Sequence, residues 1–196
     1  MDATALADRT AAFLLGTRGP GTAEPPPLWD ALAAAGVRAV AVRPAADEEY
    51  VFEQFGLGGR TPVERRLSSM DAADYDALVL AGGQDEDEPL FREPEAIRLA
   101  TEFFLAGKPI AALDRGPALL VRAGLVDERM LTSWPGLAGA ISAAGGIWHD
   151  CPVVVCRNGP NVLVTGRGSA DVAEFWAAAA EQIACSPRRS DDARAR

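Results

Sequence analysis

Apolar residues in this chain occur in short continuous runs, which alternate with segments that have helical spacing or helix-ending residues. Continuous runs of this kind predict strands buried on both faces, at residues 10–16, 37–42, 75–83 and 109–113. Proline starts, glycine stops and amphipathic spacing predict helices at residues 28–35, 93–106, 117–124 and 171–184. The alternation predicts an α/β protein with a mostly parallel, doubly wound sheet and helices on both faces.

The remaining segments are less regular. The pattern predicts a short edge strand at 63–67 and a late antiparallel hairpin from 147–156 and 161–165, turning at Asn158. The predicted buried face of the helix over 93–106 consists of Ile97, Ala100, Phe104 and Leu105. We find no repeat and no linker, so we predict one domain over 1–184. The tail 185–196 lacks the apolar residues of a core and is predicted to be disordered.

The charge balance excludes several classes of partner. The chain carries a net charge of −9 at pH 7, whereas nucleic acids and anionic membranes attract basic surfaces. It has no apolar run of the ~20 residues that a membrane span needs. Its first residues are acidic where a signal peptide is basic, so we expect a cytoplasmic protein without nucleic-acid or membrane partners.

The three cysteines, Cys151, Cys156 and Cys185, form no CxxC pair and are odd in number. Cys151 and Cys156 are five residues apart and would face opposite sides of one strand. This pattern is typical of reduced thiols with structural or incidental roles.

The segment Pro109–Leu120 (PIAALDRGPALL) predicts a buried strand, a sharp turn at Asp114-Arg115-Gly116 and a helix that begins at Pro117. A strand that ends abruptly in a helix presents its turn residue at the carboxyl edge of a parallel sheet. Ligands bind at this edge in open α/β sheets, and α/β hydrolases present a nucleophile in this way. Here the residue presented is an aspartate.

Five stretches together resemble the ThiJ/PfpI family of the class I glutamine amidotransferase-like superfamily. They cover most of residues 10–184 in family order, as DAADYDALVLAGG (71–83), GKPIAALDRGPALLVRAGLV (107–126), LTSWPGL (131–137), WHDCPVVV (148–155) and NVLVTGRGSADVAEFW (161–176). The resemblance implies a flavodoxin-like sheet and, commonly, a homodimer or larger ring.

The turn departs from the family pattern. The resemblance implies Ala-Ile-Cys-His-Gly-Pro there, so Asp114 stands where a cysteine nucleophile is expected and Arg115 where a histidine is expected. Many members also carry a glutamate after the first strand. In this chain that position falls near Gly21, with Glu24 as a second nearby acid.

The departure changes the chemistry available at the turn. An ionised carboxylate with a pKa near ~4 is a poor nucleophile toward amides and carbonyls, unlike a thiolate. Cysteine-type protease, amidase or glyoxalase chemistry is therefore not expected. Three roles stay open for Asp114: a catalytic base or nucleophile, a ligand-binding anion, or a structural group at the helix N-terminus.

Each of the neighbouring residues also has a functional and a structural interpretation. Arg115 can pair with Asp114 or bind a substrate carboxylate, or it can be a solvated arginine. Gly82 and Gly83 can supply oxyanion-binding N–H groups or simply end a strand. Trp134 lines the site by resemblance but can equally be a core residue. With Gly116, these residues and Asp114 form the predicted ligand-binding set.

We expect no metal and no cofactor. The consecutive acids Asp85–Glu88, Asp114 and the only histidine, His149, lack metal-ligand spacing. His149 lies in a strand pattern that favours a structural, hydrogen-bonded histidine.

The leading hypothesis is a ThiJ/PfpI-like protein without cysteine chemistry, which is non-catalytic or binds a small anionic or carbonyl ligand. One alternative is a hydrolase or hydratase that uses Asp114 as base or nucleophile. The other is a structural or partner-binding homodimer.

Overall fold

The central sheet has seven strands in the computed structural model, which describes residues 9–14, 38–43, 65–80 and 89–186. Its strands are β1 (Thr10–Leu14), β2 (Arg38–Arg43), β3 (Arg65–Arg66), β4 (Ala77–Leu80), β5 (Ile110–Leu113), β8 (Val153–Cys156) and β9 (Leu163–Gly166). A separate two-stranded sheet consists of β6 (Met130–Leu131) and β7 (Ile147–Trp148).

The strand order is β3-β2-β1-β4-β5-β9-β8, and every neighbouring pair is parallel except β8 with β9. The chain therefore builds outward from β1 in one direction and then from β4 in the other, which places a topological switch point between them. The prediction of a doubly wound, flavodoxin-like fold is confirmed.

Helices cover both faces of the sheet. They are α1 (Pro94–Leu105), α2 (Pro117–Arg122), α3 (Ala138–Ala143) and α4 (Val172–Cys185). Short 3₁₀ turns lie at Leu67–Ser69, Ala72–Asp74, Pro89–Arg92, Pro135–Leu137 and Ser169–Asp171. Helices α1, α2 and α3 pack on the face that includes Leu78 and Ile110, whereas α4 packs on the face that includes Val79 and Ala111. Successive strand residues thus pack into two separate cores, because side chains alternate between the two faces of a strand.

The predicted strand over 147–156 is wrong in its first half. Its residues 147 and 148 form β7, which pairs in parallel with β6, and only Val153–Cys156 pair with β9. The N–H groups of Ile147 and His149 donate to the carbonyls of Arg129 and Leu131, so they are committed to the small sheet. Pro152 has no N–H to continue a ladder. Cys151 therefore precedes β8 and does not share a strand with Cys156.

The buried face of α1 also differs from the prediction. Its buried residues are Ala96, Leu99, Ala100 and Phe103, whose spacing fits one helical stripe. Leu105, predicted on that face, is 73% exposed. Two residues beyond Phe103 correspond to more than half a turn, which turns Leu105 away from the sheet.

Other predictions have mixed outcomes. β3 lies at the edge of the sheet, as predicted for residues 63–67. The predicted helix over 28–35 and the tail from residue 187 onward lie outside the described residues, so the boundary of the domain stays a prediction. Within the part of the chain that the structure describes, no helix is both long and apolar enough to span a membrane.

Candidate functional site

The site is built on the turn between β5 and α2. All four residues of β5 are buried, and Asp114 follows them with a φ of +57°. The Gly116 N–H donates to the Leu113 carbonyl at 2.8 Å and closes the turn before Pro117 begins the helix. Asparagine and aspartate tolerate this left-handed conformation better than most residues. The predicted strand–turn–helix elbow is thus present.

Two neighbouring elements fix the backbone of Asp114. Its N–H donates to the carbonyl of Gly166, the last residue of β9, at 3.0 Å. Its carbonyl accepts a hydrogen bond from the Trp134 N–H at 2.9 Å. The turn is therefore held between β9 and the loop that follows β6, and its side chain projects from a fixed backbone.

Gly116 allows the helix to begin close to the sheet. A Cβ at this position would lie 2.5 Å from the Leu80 carbonyl oxygen and 3.0 Å from the Leu113 carbonyl oxygen. Both atoms belong to the backbone and have little freedom to move. The close approach of α2 to the end of β4 therefore depends on glycine, so Gly116 is a structural residue of the site.

Asp114, Arg115 and Trp134 meet at this turn. The Arg115 Nη1 lies 3.4 Å from the Asp114 Oδ2, and the two side chains are 20% and 22% exposed. The Arg115 Cζ lies 4.0 Å from the centre of the Trp134 ring, a cation–π arrangement. The Arg115 Nε is buried, and none of the described residues accepts its hydrogen bond. Trp134 thus contacts Arg115 beside Asp114 and also packs against the core.

Burial raises the pKa of the Asp114 carboxyl above its ordinary value, and the neighbouring Arg115 guanidinium lowers it to a smaller extent. The protonated form of Asp114 is thus favoured relative to a solvated aspartate. A carboxylate in this setting is better suited to proton transfer near neutral pH than an exposed one.

A layer of buried hydroxyls supports the Trp134 loop. The Ser133 Oγ donates to the Trp134 carbonyl at 2.9 Å and accepts a hydrogen bond from the Trp148 Nε1 at 3.0 Å. The Thr132 N–H donates to the Thr165 Oγ1 at 2.9 Å. Sequence patterns did not identify Thr132, Ser133, Trp148 and Thr165, although each lies in a stretch that carries the resemblance.

The segment between β7 and β8 also reaches this edge of the sheet. The Arg167 N–H, which follows β9, donates to the Pro152 carbonyl at 3.0 Å, and its guanidinium contacts Asp150 and Asp171 at 3.0 and 3.1 Å. Cys151 belongs to this segment and is half-buried, with its Sγ 3.6 Å from the Val153 carbonyl oxygen. The position of Cys151 late in the chain did not indicate that its segment would lie at this edge of the sheet.

The other sequence candidates lie elsewhere. Cys156 is fully buried near the opposite end of β8, Cys185 is exposed at the end of α4, and His149 is exposed just after β7. The described residues contain no group of three histidine, cysteine, aspartate or glutamate side chains that could hold a metal ion. Outside the described residues lie Gly21, Glu24, Gly82, Gly83 and Asp85–Glu88.

Replacing Asp114 by asparagine is expected to stabilise the protein at neutral pH, by at most about 1 kcal/mol. Asparagine keeps the left-handed turn and removes a carboxylate whose charged form burial disfavours. Between the ordinary pKa of aspartate and the raised pKa, the native state binds more protons than the unfolded state. Wild-type stability therefore falls as the pH rises through this window, and the variant lacks that slope.

Urea unfolding at pH 3 and pH 7 checks this prediction, with the exposed Glu174→Gln as the control for charge. The wild type and Asp114→Asn should be equally stable at pH 3. A lower stability of Asp114→Asn at pH 7 would mean that the carboxylate makes a net stabilising contact.

The fold and the elbow define a doubly wound α/β protein that presents one residue at the carboxyl edge of its sheet. The chain belongs to the DJ-1/PfpI family, whose model matches residues 10–182.

Similarity to other proteins supports this family membership. A deglycase from Pyrococcus horikoshii is 35% identical over 131 residues, 64% of this chain and 76% of that protein. A deglycase from Pyrococcus abyssi is 34% identical over 113 residues, 58% of this chain and 68% of that protein. An uncharacterized protein of Archaeoglobus fulgidus is 37% identical over 102 residues, and the match spans only 58% of its length.

A solved structure gives the same fold. Drosophila melanogaster DJ-1beta superposes with a TM-score of 0.72 at 23% identity, covering 95% of this chain and 96% of that one.

Proposed function

We propose that this chain binds a small anionic or carbonyl compound at the site formed by Asp114, Arg115 and Trp134, without thiol chemistry at the turn. One observation carries the proposal. The Arg115 Cζ lies 4.0 Å from the centre of the Trp134 ring, and its buried Nε has no acceptor among the described residues. A donor held in this way is ready to bind a ligand oxygen, because the stacking has already restricted its motion.

The identity of the presented residue supports the absence of thiol chemistry. We infer that Asp114 stands at the nucleophile position of the family, because it has a positive φ at the strand–helix junction and lies in the stretch that carries the resemblance. The names of the Pyrococcus relatives describe deglycases, and that activity belongs to those proteins. A carboxylate does not add to a carbonyl as a thiolate does.

The pair of opposite charges favours a ligand with two functional groups. A carboxylate on the ligand would accept a hydrogen bond from Arg115, as in other arginine–carboxylate contacts. A carbonyl or its hydrate would lie beside Asp114, which can accept from a hydroxyl or donate when protonated. We further propose a homodimeric, cytoplasmic protein, as the sequence analysis predicts.

Isothermal titration with glyoxylate, which combines a carboxylate and an aldehyde, tests the proposal. Acetate provides the carboxylate alone, and glyoxal provides the carbonyl groups without charge. We expect glyoxylate to bind most tightly and glyoxal most weakly, because the charge-assisted contact to Arg115 contributes most. Equal affinity for glyoxylate and glyoxal, or no binding of either, would contradict the proposal.

The raised pKa of Asp114 favours a second candidate, a hydratase or hydrolase in which this carboxylate is the general base. Its partial burial beside Arg115 is the specific observation. A base must be ionised to accept a proton, so activity in this candidate would rise with pH through the pKa of Asp114. Asp114→Asn would abolish it.

A further inference from the structure

A second cleft lies at the end of the sheet opposite Asp114. It has a volume of about 170 Å³, and its walls include Phe104 at the end of α1, Leu125 after α2 and Gly159 in the β8–β9 turn. Arg129, which also lines it, contacts Asn161 just before β9, whereas Asp114 follows the carboxyl end of β5. The cleft is therefore separate from the elbow.

Arg129 is a buried cation without a carboxylate partner among the described residues. It is only 3% exposed, and its Nη1 and Nη2 donate to the Asn161 Oδ1 and carbonyl, each at 2.7 Å. Burial lowers the pKa of its guanidinium from the ordinary value. Its hydrogen bonds go to neutral oxygens, and its Cζ lies 5.7 Å from the centre of the Phe104 ring. A buried charge without an anionic partner is costly, so an anion at this position would be favourable.

One donor of Arg129 is left over. The Nε is buried and has no hydrogen-bond acceptor in the described part of the chain. Gly159, with a φ of +103°, lies on this side of the guanidinium, and a Cβ there would be 3.7 Å from the Nε. Because glycine supplies no side chain, no Cβ covers this side of the guanidinium, and both residues line the cleft.

The outer part of the cleft has the opposite charge. Asp127 and Glu128 are exposed and line it, and Phe104 and Leu125 contribute apolar surface to the same cleft. A plain anion would be attracted by Arg129 but repelled by the two carboxylates. A small ligand that carries both a negative and a positive charge would pair with Arg129 and with the two carboxylates.

We propose that this cleft binds a small zwitterion with the chemistry of a free apolar α-amino acid. Its carboxylate accepts a hydrogen bond from Arg129, its ammonium group faces Asp127 and Glu128, and its side chain contacts Phe104 and Leu125. This proposal does not depend on the function proposed for the elbow.

Isothermal titration of the full chain with L-leucine tests the proposal, with acetate and n-butylamine as probes that carry one charge each. We expect leucine to bind at least about tenfold more tightly than either half-probe, because each loses one charge-assisted contact. Equal binding of leucine and acetate, or no binding of leucine, would overturn the proposal.

Substitutions at Asp127 and Glu128 test whether these residues contact the ammonium group of the ligand. The double variant Asp127→Asn, Glu128→Gln leaves Arg129 and its buried hydrogen bonds in place, so it is expected to fold. It should weaken leucine about three- to tenfold and should not weaken acetate, whereas Glu174→Gln on α4 should change neither. An unchanged affinity for leucine in the double variant would overturn the proposal. Arg115→Met, which removes the guanidinium of the elbow, should leave the leucine affinity unchanged, and a loss of leucine binding in this variant would place leucine at the elbow instead.

Discussion

Gly116→Ala is expected to lower the free energy of unfolding by about 3 kcal/mol, the largest effect of any single substitution considered for this chain. The new methyl carbon would lie 2.5 Å from the Leu80 carbonyl oxygen, well inside contact distance. Gly116 has φ −49° and ψ −37°, which are ordinary helical values. Alanine is favoured over glycine in such a conformation by about 1 kcal/mol, so the loss of stability would report the collision alone.

Gly139→Ala is the matched control. Gly139 lies in α3, and a Cβ there would meet nothing within 4 Å. We expect this variant to gain about 0.5–1 kcal/mol, because alanine reduces the conformational freedom of the unfolded chain. Urea unfolding of both variants measures the difference. If Gly116→Ala were as stable as Gly139→Ala, α2 would not approach β4 as described, and the elbow geometry would be wrong.

Arg115→Met is expected to weaken glyoxylate binding about ten- to a hundredfold. A hydrogen bond to a charged group contributes about 1.5–3 kcal/mol, which corresponds to this range. Methionine retains the length of the side chain and can still pack on the Trp134 ring, so the variant removes charge and donors while keeping most of the apolar contact.

Arg122→Met controls for the loss of a positive charge, since Arg122 is exposed in the last turn of α2. It should bind glyoxylate as the wild type does. A similar loss in both variants would show that the overall field of the protein, and not a contact with Arg115, attracts the anion. No loss in Arg115→Met would place the ligand elsewhere.

The elbow could be predicted because its determinants are local. The apolar run of β5, the glycine of the turn and the proline at the start of α2 are adjacent in sequence, and the proline favours a helix that begins at its own position. The alternation of strand and helix patterns likewise predicted a doubly wound, mostly parallel sheet. These features need no knowledge of distant contacts.

The partners of the elbow could not be predicted in this way. Trp134 stacks on Arg115 only because its N–H bonds to the Asp114 carbonyl, and Cys151 reaches the same edge only because β8 runs antiparallel to β9. The hydrogen bonds of buried Arg129 depend on Asn161, which lies 32 residues further along the chain. Such contacts depend on the tertiary arrangement, and neither periodicity nor spacing reports them.

The exposed position of Leu105 has a similar cause. Helical spacing identifies an apolar stripe, but it does not determine which edge of the stripe faces the sheet when several apolar residues are adjacent. The packing of α1 against β4 and β5 selects Phe103 and leaves Leu105 at the surface.

The most direct measurement is a turnover assay of the purified wild-type protein with glyoxal, an isocyanide, an amide and a peptide, alongside Asp114→Asn and Cys151→Ala. A ligand-binding elbow without a thiol nucleophile predicts no turnover above the level common to all three proteins. Wild-type turnover that Asp114→Asn abolishes would contradict the binding function and establish Asp114 as catalytic. Turnover that only Cys151→Ala abolishes would show that thiol chemistry persists at this edge of the sheet.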